Sequence, residues 1–98
     1  MSVHVVAVIT AKPGSEDAVR AAMRDIVGPT RDEEGCLSYD LSESAAAPGT
    51  FVTVEEWRES ADLDAHLQTD HIQAALATLG SDLAATPAIH PLTPLDVR

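Results

Sequence analysis

The chain has 98 residues, 45% of them hydrophobic and 22% charged, with a formal net charge of −10. That balance describes one soluble domain spanning residues 1–98 around a single modest core, not a disordered or disulfide-stapled chain. Its six basic residues (Lys12, Arg20, Arg24, Arg31, Arg58, Arg98) are scattered, which argues against nucleic acid or an anionic membrane surface as a partner.

Val3 to Thr10 reads as a strand, with Val5, Ala7 and Ile9 on one face and Val6 and Val8 on the other. This apolar start has no basic leader or cleavage motif and is too short to span a bilayer, so neither a targeting nor a membrane segment is expected. Lys12-Pro13-Gly14 ends the strand. Ser15 is placed to cap a helix that carries Glu16 and Asp17 in its first turn and repeats Val19, Ala22, Met23, Ile26 and Val27 at helical spacing. Gly28-Pro29 weakens or bends its end, and Asp32-Glu33-Glu34 reads as a solvated terminus.

Cys36 to Ser42 alternates as a second strand, Ser44 to Thr50 is a loop, and Phe51 to Trp57 is a third strand. Ser60 opens a second helix, with Asp62 and Asp64 in its first turns. Asp70, with Gln73 three residues on, resembles a capping box for another helical segment that carries Ile72, Ala75, Leu76, Leu79 and Leu83 inward. Pro87, Pro91 and Pro94 restrict the tail to an edge or interrupted strand. The order is βαββαβ, an α+β chain of the ferredoxin-like kind with a four-stranded antiparallel sheet. Because the first strand is apolar on both faces, a second copy of the chain is expected against the face that the helices leave bare, giving a homodimer.

Common chemistries are poorly represented. The glycines are isolated, so neither a dinucleotide fingerprint nor a phosphate loop is present. The lone Cys36 has no disulfide or zinc partner, fits a reducing cytoplasm, and reads as a small buried hydrophobe. His66 and His71 are five apart, about 140° around one helix, so no metal site is expected from them. What remains is an apolar space between sheet and helices, edged by Trp57, Tyr39 and His66. Asp62 and Asp70, four residues either side of His66, would favour its protonated form and fix its ring, and His66 is the natural base for an acidic phenolic proton. Glu55 and Glu56 alternate faces; one is solvated and the other is a partner for a ring nitrogen or hydroxyl. His71, at a helix start, reads as structural or exposed. Against this stands a purely structural reading, in which Trp57 and Tyr39 only pack and His66 is a surface ion pair.

Four runs resemble the antibiotic biosynthesis monooxygenase (ABM) family. They are Ala11-Lys12-Pro13-Gly14, Glu33-Glu34-Gly35-Cys36 with Tyr39, Val54-Glu55-Glu56-Trp57, and Leu63-Asp64-Ala65-His66-Leu67-Gln68-Thr69-Asp70-His71. The likeness is greatest to its quinol monooxygenase branch. That resemblance implies a dimeric α+β barrel with a pocket in each subunit, and oxidation of a small quinol or phenol by molecular oxygen without metal or flavin. His66 would be the base or orienting group, Trp57 and Tyr39 would line and hydrogen-bond the ring, and Glu55 would orient a partner. A related haem-degrading branch uses an Asn that this chain, having none, lacks, and haem degradation is therefore disfavoured. The competing expectation is a non-catalytic dimeric module that binds a small molecule or a partner protein.

Overall fold

The computed structural model describes residues 2–96; residues 1, 97 and 98, the ends of the expected domain, lie outside the described part. The elements run β1 (Val3–Thr10), α1 (Glu16–Arg31), β2 (Cys36–Glu43), β3 (Thr50–Trp57), α2 (Ser60–Leu67), α3 (Asp70–Leu79) and β4 (Ala88–Pro91). The four strands form one antiparallel sheet in the order β2-β3-β1-β4, which is the ferredoxin-like α+β arrangement.

Alternation decides which residues the sheet turns inward. On β1 these are Val5, Ala7 and Ile9, and on β3 Phe51, Thr53, Glu55 and Trp57, all buried. The opposite face pairs Val6 with Val54 and Val8 with Val52 across the two central strands, and Val54 is 53% exposed. β4 pairs with β1 from Val5–Pro91 to Val8–Ala88. A proline is tolerated at this outer position because an edge strand need not donate every N–H.

Helix α1 buries Val19, Met23, Ile26 and Thr30 and continues through Gly28-Pro29 to Arg31. Pro29 removes one backbone donor, but the turn after it is held by the Asp32 N–H on the Gly28 carbonyl (3.1 Å) and by Arg31 Nε on the Tyr39 carbonyl (3.0 Å). At the far end of β2, Arg20 grips Glu43 with two 2.8 Å bonds. That guanidinium, helped by the Gly49 N–H, pulls the Glu43 carboxyl down to about 2.

The sequence expectation of Ser60 and Asp70 as caps is corrected by one residue each. Glu59 and Thr69 occupy the cap positions, and the Glu59 N–H is taken by Asp62 at 3.1 Å. The chain does not run from α2 into α3 as one helix. Gln68 and Thr69 interrupt it, and the Thr69 hydroxyl donates to the His66 carbonyl at 2.7 Å, closing the last turn of α2 before α3 starts in a new direction. Leu83, expected on α3, lies beyond the helix in an isolated bridge to Ala11.

Candidate functional site

Thr53, Glu55 and Trp57 stand at alternate positions of β3 and so point to the same side of the sheet. Glu55 is 4% exposed and is held by its two strand neighbours: the Trp57 indole N–H donates to Oε1 at 2.8 Å and the Thr53 hydroxyl to Oε2 at 2.6 Å. Among the described residues no cation forms an ion pair with it. A buried carboxylate of this kind depends on its donors, since burying an ionised group without partners costs several kcal/mol.

His66 comes from α2, which crosses over this strand. Its ring lies 4.6 Å from the Trp57 ring and 5.8 Å from the Tyr39 ring, centroid to centroid. The expectation that Asp62 and Asp70 flank and fix this ring is not met. Asp62 is engaged by the Arg58 guanidinium at 2.8 and 3.1 Å, and the interruption at 68–69 removes Asp70 from the same helix. The carboxylate that holds His66 is Glu33, whose Oε2 lies 2.6 Å from His66 Nδ1. The same oxygen lies 2.9 Å from His71 Nε2.

Glu33 was expected to be a solvated helix end. Instead its side chain is only 14% exposed, because the tight turn from α1 into β2 folds it back over the sheet. The Glu33 N–H is bonded to the Thr30 carbonyl and its own carbonyl accepts from the Cys36 N–H. Gly35 in that turn abuts Asp62; a methyl added there would meet the Asp62 side chain. His71, expected to be a structural or exposed residue, is 23% exposed and belongs to this cluster. The 140° separation between His66 and His71 does not apply, since the two residues sit on different helices.

An ionised carboxylate only accepts hydrogen bonds, so both imidazole nitrogens facing Glu33 carry their protons. His66 is thereby held as the Nδ1–H tautomer. When the ring is neutral, its Nε2, which has no partner among the described residues, carries the lone pair on a side chain that borders a cavity.

That cavity has a volume of about 240 Å³ and lies between the sheet and all three helices. Its walls are mainly apolar, from Ala7 and Ile9 of β1 to Ile72, Leu76 and Leu79 of α3, and five polar side chains border it: Tyr39, Thr53, Glu55, His66 and Thr86. A cavity of about 150 Å³ accepts benzene, so this one has room for a one- or two-ring aromatic molecule.

Burial, and secondly the negative charge of Glu55, push the Tyr39 phenol well above its ordinary range, with the nearby Thr53 hydroxyl opposing weakly. Tyr39 thus stays a neutral donor and does not serve as a base. It is the chain's one tyrosine, so its titration is isolated. Since folding raises this acid's pKa, native stability falls as pH rises past the unfolded value of about 10. Ultraviolet absorbance is expected to show no tyrosinate until the chain unfolds; ionisation near pH 10 in the native state would contradict its enclosure.

The sequence-derived residues thus divide. Tyr39, Glu55 and His66 border one cavity. Trp57, expected to line it, does not reach it: the indole is fully buried behind Glu55 and His66, packed with Val5, Tyr39 and Leu63. Cys36 is half-buried and packs against that same cluster; burial and then the charges of Glu33 and Glu55 raise its thiol. Sequence reasoning missed Glu33 and Thr53. Strand alternation placed Thr53 on the face of Glu55 and Trp57, and Glu33 stood in the quoted Glu33-Glu34-Gly35-Cys36 run. Glu33, His66 and His71 are also the group whose atoms could hold a metal ion.

A sequence profile of the family described as antibiotic biosynthesis monooxygenase matches residues 2–78. Rv0793 from Mycobacterium tuberculosis is 38% identical over 94 residues, covering 96% of this chain and 92% of that protein. Its solved structure superposes with a TM-score of 0.88 over 99% of this chain and 98% of that one. The Escherichia coli protein YgiN, named a probable quinol monooxygenase, is 34% identical over 89 residues, 81% of this chain and 86% of its own length. The crystal structure of PA3566 from Pseudomonas aeruginosa, 33% identical, gives a TM-score of 0.89 over 97% of this chain and 95% of that one.

Proposed function

Because the chain belongs to the antibiotic biosynthesis monooxygenase family, we propose that it oxidises a small quinol or phenol with molecular oxygen in the cavity bordered by Tyr39, Glu55 and His66. The observation that carries this reading is the geometry of His66. Glu33 holds Nδ1, so in the neutral ring the free lone pair is on Nε2 of a side chain that borders the cavity. Nε2 accepts the substrate's hydroxyl proton, and the anion formed is the electron donor to oxygen. One oxygen atom enters the ring as a hydroxyl and the other leaves as water, while the quinol becomes a quinone. The substrate supplies all four electrons and no separate reductant is consumed.

The remaining residues position and exclude water. Tyr39, as a neutral phenol, donates to a ring oxygen. Glu55 keeps Thr53 and Trp57 in place, and Trp57 supports the His66 ring from behind. The apolar walls lower the local dielectric around the anion and hold the ring in one orientation. Trp57 thus has a supporting role in this reading, not a contact with substrate.

The working unit we propose is a homodimer in the cytoplasm. The exposed Val54 and the partly exposed Val6, Val8 and Val52 on the bare sheet face support a second copy there, and the single unpaired Cys36 suits a reducing compartment. Among the described residues no helix is long and apolar enough to cross a membrane. A 10.3 kDa monomer in light scattering would contradict the dimer.

Oxygen uptake above the spontaneous rate, measured over a panel of one- and two-ring quinols with chelator-treated protein, tests the reaction. Turnover with at least one member is expected, with stoichiometric hydroxyquinone. The predominantly apolar wall also suits binding without turnover, the alternative that sequence left open. Tight retention of a quinone with no oxygen consumption across the panel would replace the enzymatic reading with that one.

A further inference from the structure

Glu33 Oε2, His66 Nδ1 and His71 Nε2 converge from three separate elements and all lie within 4.8 Å of one another. The oxygen is 2.6 Å from the first nitrogen and 2.9 Å from the second. Two ligand atoms held about 2.1 Å from one ion at octahedral or tetrahedral angles are about 3.0–3.4 Å apart. An ion therefore needs the oxygen to draw back from each nitrogen by only a few tenths of an ångström, with the two nitrogens, within 4.8 Å of each other, settling into the same range.

We propose that Glu33, His66 and His71 form a binding site for a divalent transition-metal ion of the zinc(II), cobalt(II) or iron(II) class, with water completing its coordination. Ligand chemistry selects that class. Two imidazoles and one carboxylate suit borderline ions, whereas magnesium and calcium take sets built of oxygens. Preorganisation supports the site. Glu33 is fixed by the turn between α1 and β2, His66 by its packing on Trp57, and His71 by the first turn of α3. Entry is from the His71 side, since that side chain is 23% exposed while His66 is 4% exposed.

The site has a consequence for protonation. In the hydrogen-bonded arrangement both ring nitrogens carry protons toward Glu33. A metal ion needs lone pairs at those atoms, so each ring moves its proton to its other nitrogen. His66 Nε2 then carries an N–H and can no longer accept one. Metal loading thus converts the cavity's acceptor into a donor and silences the base. This last consequence rests on the reaction proposed above; ion binding itself does not.

Titration of the chelator-stripped full chain with cobalt(II), followed by visible absorbance, is the direct test. Bands that saturate at one ion per chain and are displaced by zinc(II) are expected. His71→Ala and Glu33→Gln should each weaken cobalt binding by about 100-fold or more, the upper end of what losing a supporting residue alone costs. His71→Gln, which keeps more of the side-chain volume, should do the same. A His4→Ala/His90→Ala double variant removes two imidazoles outside the cluster and should bind as tightly as the wild type. Circular dichroism melting separates a lost ligand from a lost fold. Absence of a saturable band, or binding that survives in both folded His71 variants and Glu33→Gln, overturns the site. Saturable binding that leaves quinol turnover unchanged would instead overturn the base role of His66.

Discussion

Replacing His66 with glutamine is expected to lower kcat for quinol-dependent oxygen uptake by about 10²–10⁴-fold, the range typical of losing one general base. The substitution isolates chemistry from packing. A glutamine amide reaches about as far as Nε2, so its length keeps most of the contact with Trp57, while the bond that Nδ1 makes to Glu33 is given up. It has no group that accepts and returns a proton near neutral pH. Binding of the product quinone should change much less than kcat, because most of the cavity wall is apolar and untouched. A folded variant with wild-type turnover would remove His66 from the mechanism and leave Glu55 as the remaining candidate acceptor.

Trp57→Ala should produce the largest loss of stability, about 3–5 kcal/mol. Native domains of this size have only about 5–15 kcal/mol in total, so the variant would lose a large share of its stability. The indole is fully buried, fills the space between Val5, Tyr39, Leu63 and His66, and donates to a buried carboxylate. Deleting it opens a cavity and strips Glu55 of a donor together. Trp57→Phe separates these effects: most of the volume stays, the indole N–H goes, and the expected cost falls to about 1–3 kcal/mol. Urea denaturation followed by circular dichroism measures both, since the variants lack the chain's one Trp fluorophore. A loss below about 1 kcal/mol for the alanine variant would mean that the second core cluster collapses onto the gap, and that Trp57 does not brace His66.

The sheet was legible from sequence because its signal is local. The alternation in Val3 to Thr10, bounded by Lys12-Pro13-Gly14, marks β1 with the same ends that the structure has. In β3, alternation also placed Glu55 and Glu56 on opposite faces, and Glu55 is the one turned inward. The site was legible only in part, since its decisive contact is not local. Glu33 and His66 are 33 positions apart, and Glu33 and His71 are 38 apart; no periodicity links them. Asp62 and Asp70 were attractive partners for His66 because helical spacing is visible in a sequence, whereas a turn that folds Glu33 back across a strand is not. The same limit misplaced Trp57. Its presence beside the pocket could be read from the strand, but whether its ring faced the space or stood behind a neighbour depended on packing.

The break between α2 and α3 makes the interval from His66 to His71 a ruler. One inserted residue within α3 ahead of His71 would turn the rest of that helix by about 100°, carrying His71 away from Glu33 and rotating Ile72 and Leu79 out of the core. The exposed stretch from Ala45 to Pro48 joins β2 to β3 without lining the cavity, and such loop tips absorb added length readily. Length variation among natural or designed versions of this chain should therefore collect at that hairpin and be nearly absent between the two histidines. Spacing there is as much a part of the site as the side chains themselves.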